Sequence, residues 1–177
     1  IGLNHYLPKD IRVQKSDEVE SDYHPRYRNT EKTYEYTILN TKINLPTYSR
    51  YSYHVYHPLD FEAMKEAAEL LVGEHDFSAF CSAGSQVKSK VRTIYEVSID
   101  KQKAMGCNGG EVIRIRVRGN GFLYNMVRII AGTLVEIGEG RRSLADVKQA
   151  LSTGERKKAG PTAPPEGLVL VEIREVP

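Results

Sequence analysis

The segment FLYNMVRIIAGTLVEIGEG, from Phe122 to Gly140, carries few charged residues and reads as a largely buried helix. Such a helix needs a second layer that covers its apolar surface. The segments around it alternate between apolar and polar residues, as half-buried strands do. We therefore expect an α+β fold in which helices pack on one face of a sheet.

Two neighbouring strands set the direction of this sheet. Val91 to Ile99 and Val112 to Val117 alternate and are joined by a turn that contains Gly109 and Gly110, so an antiparallel pair is expected. The sheet is therefore predicted to be mostly antiparallel. Further strands are predicted at Ile11 and Val13, at Lys32 to Ile38, at Tyr51 to Val55 and at Leu168 to Ile173.

Two more helices are indicated by capping residues and by helical spacing. Asp60 is typical of an N-cap, and the apolar residues that follow, from Phe61 to Leu71, end at Gly73. A shorter helix is predicted from Ser143 to Leu151. The chain is expected to be a single domain over residues 1–177.

Composition excludes several classes of protein. The 177 residues, 40% hydrophobic and 27% charged, suit one globular domain. No apolar run approaches the roughly 20 residues of a membrane span, and no secretory leader opens the sequence, so a cytoplasmic protein is expected. Cys81 and Cys107 lack metal or disulfide spacing, the five histidines match no metal motif, and we expect no metal site.

Arginines recur at every second position in one predicted strand. Arg114, Arg116 and Arg118 would project from one side of the sheet, because Ile113 and Val117 occupy the other side. Such a row could bind phosphates. It could equally be a solvated face whose arginines pair with acids on neighbouring strands, such as Glu96.

Arg128 lies within the apolar helix and has no evident solvated stripe. A buried guanidinium needs a partner, and its planar fork suits a bidentate carboxylate. The partner could be a nearby structural acid, or Arg128 could be an active-site arginine that awaits its acid.

Aromatic and basic residues are interleaved near the start of the chain. In DYHPRYR, residues 22 to 28, Arg26 lies between Tyr23 and Tyr27, and Tyr34 and Tyr36 follow on a strand. RNA-binding proteins use such mixtures, because rings stack on bases and arginines hold the backbone. Tyrosines in strands are also common packing residues.

A second candidate RNA contact is a loop of small and basic residues. Gly84 to Lys88 contains no acid and is followed by Lys90 and Arg92, which suits a phosphate backbone. The alternative is a mobile, solvated loop.

Five stretches of the sequence together resemble consecutive motifs of the bacterial tRNA pseudouridine synthase A family, the TruA family. They are LNHYLPKDIRV (3–13), YHPRYRNTEKTYEYTI (23–38), GEHDFSAF (73–80), NGFLYNMVRIIAGTLVEIGEG (120–140) and APPEGLVL (163–170). The resemblance implies a homodimeric isomerase of two α+β halves, without metal or cofactor. It would convert uridines at positions 38 to 40 of the tRNA anticodon stem-loop to pseudouridine.

The same resemblance assigns roles to individual residues. It implies that Tyr34 packs on the target base, that Arg128 is the catalytic-site arginine that pairs with the catalytic aspartate, and that Leu168 or Leu170 lines the site. The implied tRNA-binding residues are Tyr23, His24, Arg26, Tyr27, Lys42, Gly84, Ser85, Gln86, Val87 and Lys88.

The family's aspartate belongs to an R-T-D-x-G-V-H-A motif upstream of LNHYLP, and this motif does not occur between Ile1 and Pro177. We therefore expect the chain to be the C-terminal, RNA-binding half of a longer enzyme, with residues 1–30 as the tail of the connection and no activity alone. The alternatives are a non-catalytic RNA-binding module and a domain that mainly dimerises.

Overall fold

The structure, a computed structural model, describes residues 2–25, 28–107 and 109–176. Within these ranges the chain forms a six-stranded, mostly antiparallel sheet with helices, which confirms the predicted α+β class. The strands are β1 (Thr30–Asn40), β2 (Tyr53–Val55), β3 (Gly73–Asp76), β4 (Val91–Lys103), β5 (Glu111–Gly119) and β6 (Leu168–Glu175). The helices are α1 (Leu3–Tyr6), α2 (Phe61–Glu69), α3 (Met126–Gly138) and α4 (Leu144–Thr153).

Strand β1 organises the sheet. One of its edges pairs with β5 in antiparallel register along nearly its whole length. The other edge is divided, because β6 runs antiparallel to its first part and β2 runs parallel to its last residues. β4 and then β3 extend the sheet beyond β5, so the predicted antiparallel pairing of β4 with β5 is confirmed.

The two faces of the sheet differ sharply in polarity. Ile113, Ile115 and Val117 of β5 are fully buried and pack in the main core with residues of α2 and α3. Tyr36 and Ile38 of β1 belong to the same core. The opposite face carries the arginine row, as the two-residue alternation of a strand requires.

Capping residues define where the helices begin. The side chain of Asp60 accepts a hydrogen bond from the backbone N–H of Ala63 at the start of α2, as predicted. α3 begins at Met126 rather than at Phe122, because Asn125 adopts a left-handed backbone conformation with φ 60°. A left-handed residue cannot continue a right-handed helix, so residues 122–125 form a turn.

One predicted strand was wrong and one strand was missed. Ile11 and Val13 do not form a strand, since the amide side chain of Asn4 binds the backbone N–H and carbonyl of Val13 in place of a neighbouring strand. Strand β3 was not predicted, because its sequence GEHD is polar and lacks the alternation of a half-buried strand. Among the described residues, no helix combines the length and apolar character needed to cross a membrane.

Candidate active site

Arg128 is held at the first turn of α3 by two oxygen atoms. Its Nε donates a 2.7 Å hydrogen bond to the carbonyl oxygen of Ala163, and one terminal nitrogen donates a 3.1 Å bond to Oδ1 of Asn125. No carboxylate of the described residues forms an ion pair with it, although the chain places many acids beside other arginines. These two bonds use two of the five N–H donors of the guanidinium.

The segment that supplies the Ala163 carbonyl lies backbone to backbone against α3. The N–H of Ala163 donates in turn to the carbonyl of Arg128, at 3.1 Å. One turn further along, Thr133 accepts a 2.8 Å hydrogen bond from the N–H of Gly160. A Cβ atom on Gly132 would lie 2.0 Å from the carbonyl oxygen of Pro161, so only glycine permits this approach. The partner of Arg128 is therefore fixed by main-chain packing.

Tyr34 projects from β1 on the core face and packs at the margin of the core. Its ring meets the ring of Phe122 edge to face, with centroids 5.2 Å apart. Phe122 belongs to the turn that leads into α3, the helix of Arg128. The turn at residues 122–125 thus links the tyrosine and the arginine that the sequence singled out.

The neighbour of Tyr34 on the same face of β1 also reaches this region. Tyr36 is fully buried, and its hydroxyl donates a 2.6 Å hydrogen bond to the carbonyl oxygen of Pro164. Burial raises the pKa of this hydroxyl well above its ordinary value, and the nearby positive charge of Arg128 opposes the rise only in part.

The basic loop at residues 84–88 is anchored beside Arg128. Ser82, just before the loop, donates its backbone N–H to the carbonyl of Tyr124 at 3.1 Å, and its hydroxyl accepts a 3.0 Å hydrogen bond from Nδ2 of Asn125. Gly84, Gln86, Val87 and Lys88 are exposed, and Ser85 is half-buried. The loop therefore projects into solvent from the edge of the candidate site.

Strand β6 places two leucines beside the tyrosines of β1. Leu168 is paired with Tyr36 and packs against the core, whereas Leu170 is paired with Tyr34 and remains 43% exposed. Leu170 is therefore the leucine that presents free apolar surface next to Tyr34.

The other predicted RNA contacts are dispersed. The hydroxyl of Tyr23 donates a 2.5 Å hydrogen bond to Glu175 of β6, which raises the pKa of the tyrosine. His24 follows Tyr23 in the chain and is exposed, while Arg26 and Tyr27 lie outside the described residues. Lys42 is exposed beyond Asn40, the last residue of β1, which itself lies roughly 20 Å along the strand from Tyr34. The structure therefore does not bring Lys42 and Tyr34 together.

The arginine row is neutralised by acids on the adjacent strands. Its ion pairs are Arg118 with Glu31 at 2.8 Å and Glu96 at 3.6 Å, Arg116 with Glu35 at 2.8 Å, and Arg114 with Glu35 at 3.7 Å and Asp100 at 3.9 Å. The hydrogen bond to Glu31 raises the pKa of Arg118 further. The row is thus a solvated face whose arginines pair with acids on neighbouring strands, the second of the two predicted alternatives.

No group of three or more His, Cys, Asp and Glu side chains within the described ranges is arranged to hold a metal ion. The site instead contains the guanidinium of Arg128 with unused N–H donors, the half-buried ring of Tyr34 and the apolar surface of Leu170. Together they suit the binding of a carboxylate and of a flat ring.

Comparison with known proteins identifies the family of the chain. A family model described as tRNA pseudouridine synthase matches residues 67–174. The chain belongs to the tRNA pseudouridine synthase family. Among its relatives, tRNA pseudouridine synthase A of Acetivibrio thermocellus is 45% identical over 172 residues, which cover 97% of this chain and 68% of the relative. The namesake proteins of Brevibacillus brevis and Halalkalibacterium halodurans are 46% and 47% identical, with 67% and 62% of their lengths covered.

Three residues of the candidate site were not identified from the sequence. Ala163 contributes a backbone carbonyl, which no side-chain pattern reveals. Phe122 was assigned to a helix and not to a contact with Tyr34. Asn125 was also placed within the helix, although asparagine before an apolar run is one of the few residue types that readily adopts a left-handed conformation.

Proposed function

We propose that the chain is the C-terminal, RNA-facing half of a tRNA pseudouridine synthase that isomerises uridines at positions 38 to 40 of the anticodon stem-loop. The catalytic aspartate would come from a segment upstream of this chain. The full-length enzyme is the longer protein that would contain both this segment and the chain. In this proposal residues 1–30 connect the two halves, and the chain alone is inactive.

The observation that carries this proposal is the state of Arg128. Its guanidinium is half-buried and held by two neutral oxygen atoms, with no carboxylate partner in the described part of the chain. A cation in that position gains most from a carboxylate, and three N–H donors remain for one. The incoming aspartate would pair with these donors and stay ionised, because a nearby opposite charge lowers the pKa of a carboxyl group.

The reaction needs no co-reactant, but the detached uracil base must be kept within the site. The bond between N1 of uracil and C1′ of ribose breaks, the base turns, C5 bonds to C1′, and the proton of C5 is finally replaced by one on N1. No atom is gained or lost overall. Tyr34 would stack on the detached base, and Leu170 would close the site beside it, so that the base cannot escape while it turns.

Access to the base requires that the nucleotide leave its stack in the stem-loop. The loop at residues 84–88 stands beside Arg128 and would hold the RNA backbone through Lys88. Tyr23, His24, Arg26 and Tyr27 would contact the same RNA. Lys42 lies too far from Tyr34 for this role in one subunit, so its contact requires a distant part of the tRNA or a partner subunit. We also propose that the enzyme is a homodimer in the cytoplasm.

The alternative, a non-catalytic RNA-binding module, receives less support. The arginine row that such a module would use is paired with acids on the adjacent strands. A module of that kind also needs no arginine held without a carboxylate within an apolar helix.

The deciding experiment measures pseudouridine formation in an anticodon stem-loop RNA by three proteins: this chain, the full-length enzyme and its Arg128→Ala variant. We expect an inactive chain, an active full-length enzyme and a loss of about a hundredfold to a thousandfold in the variant, as for removal of an electrostatic partner in an active site. Arg128→Lys should remain strongly impaired, because an ammonium cannot form the bidentate pair. An active isolated chain would overturn the proposal.

A further inference from the structure

Asn125 occupies an unusual position in the fold. Among the described residues it is the one non-glycine residue with a positive φ, at 60°. Such a conformation costs free energy in most residues, and it persists where the surroundings require it. It ends the turn that follows Phe122 and places the asparagine side chain between the basic loop and Arg128.

The amide of Asn125 uses its two ends for different partners. Oδ1 accepts the 3.1 Å hydrogen bond from Arg128, and Nδ2 donates the 3.0 Å hydrogen bond to the hydroxyl of Ser82. The backbone hydrogen bond from Ser82 to Tyr124 also holds Ser82 in place, so the start of the loop that follows is anchored. A continuous polar chain therefore runs from the loop to the guanidinium.

We propose that Asn125 is a positioning residue, whose amide makes the orientation of Arg128 depend on the placement of the loop at residues 84–88. This inference rests on the proposed function. RNA that binds the loop would fix the position of Ser82 and of the Asn125 amide. The amide would in turn orient the terminal nitrogens of Arg128 that bind the aspartate. The arginine is then correctly oriented mainly when substrate is bound.

Asn125→Gly in the full-length enzyme is the variant that isolates this role. Glycine adopts the left-handed backbone without strain, so the turn is retained while the amide is lost. We expect the single-turnover rate of pseudouridine formation to fall by about tenfold to a hundredfold, the scale of a small misplacement of reacting groups. RNA affinity should change little, because no cation of the loop is removed. A merely structural defect would instead lower the melting temperature.

Ser82→Ala provides an independent second variant. It removes the other end of the same link and should lower the rate in the same direction. The double variant should then be no slower than Asn125→Gly alone, since the link is already broken. Rate losses that multiply, to within about twofold, would mean that the two residues act separately and would contradict the inference. The matched control is Ser152→Ala, at an exposed serine of α4 whose hydroxyl donates to the carbonyl of Gln149 in the same helix.

The outcome also separates this inference from the proposed function. If Arg128→Ala leaves the full-length enzyme active, the proposed role of Arg128 fails and the inference fails with it. If Arg128→Ala abolishes activity while Asn125→Gly and Ser82→Ala retain the wild-type rate, only the inference is wrong.

Discussion

The hydroxyl of Tyr36 on β1 is hydrogen-bonded to the carbonyl oxygen of Pro164, the residue after the one that holds Arg128. A strand of the sheet and the segment that supports the arginine are thereby joined directly. Because burial raises the pKa of this phenol, it remains protonated and able to donate through the physiological pH range.

Tyr36→Phe should lower the free energy of unfolding of this chain by about 1–2 kcal/mol at neutral pH, since a buried acceptor loses its donor. Denaturant unfolding monitored by circular dichroism measures this change. The ring is retained, so no cavity contributes. In the full-length enzyme the same substitution should reduce activity, because the Ala163 carbonyl loses part of its support.

The pH dependence of this difference follows from the direction of the pKa shift. Tyr36 binds its proton more tightly in the folded state, so its contribution is complete below the unfolded pKa of about 10 and is lost as pH rises through the higher folded pKa. The stability difference between wild type and Tyr36→Phe should therefore stay constant up to about pH 10 and shrink as pH rises further toward the folded pKa. A difference that stays constant above about pH 10 would contradict the assignment.

Leu168 and Leu170 should respond to truncation in opposite ways. Leu168 packs against the core, so Leu168→Ala should lower the free energy of unfolding by about 2 kcal/mol. Leu170 is 43% exposed, so Leu170→Ala should cost less than about 1 kcal/mol and instead impair pseudouridine formation by the full-length enzyme. The two variants serve as each other's control, and the reverse pattern would assign the site to Leu168.

Lys88 and Arg116 compare an exposed cation with a paired one. Lys88→Ala should reduce the slope of log affinity against log salt for stem-loop RNA by about one, the expected effect of losing one phosphate contact. Arg116→Ala should change this slope much less, because Glu35 already neutralises the guanidinium. Fluorescence anisotropy at several salt concentrations measures both slopes. Equal effects would indicate that RNA also reaches the arginine row.

Asp146 should make the start of α4 sensitive to acid. Its carboxylate accepts hydrogen bonds from the backbone N–H and the hydroxyl of Ser143, and these bonds lower its pKa. The stabilisation is complete above the unfolded pKa of about 3.9 and is lost as pH falls through the lower folded pKa. Asp146→Asn should therefore be less stable than wild type at neutral pH, by up to about 1 kcal/mol, and the gap should close below about pH 4.

The elements with one buried face were the clearest to predict from the sequence. β1, β4, β5 and α2 show the periodicity that one-sided burial imposes, and the structure places them as expected. Ile11 and Val13 show the same alternation but have no partner strand, and pattern alone cannot supply one. β3 at Gly73–Asp76 has a partner but no apolar pattern, so it remained hidden.

The candidate site was predictable only where its residues are distinctive by type. Arg128 stands out because a cation within an apolar helix is unusual, and Tyr34 because of its motif. Their roles in catalysis stay predictions. The support of Arg128 comes from a carbonyl that every residue possesses, so it depends on tertiary packing rather than on residue type.

Main-chain support has a consequence for mutational tolerance. A side-chain substitution at position 163 leaves the backbone carbonyl in place, so most small changes there preserve its hydrogen bond with Arg128. The vulnerable positions are the two glycines where helix and segment meet, since a Cβ atom on Gly132 or Gly160 would collide with backbone atoms. Genetic variation that disturbs the orientation of Arg128 should therefore be found at these two buried glycines.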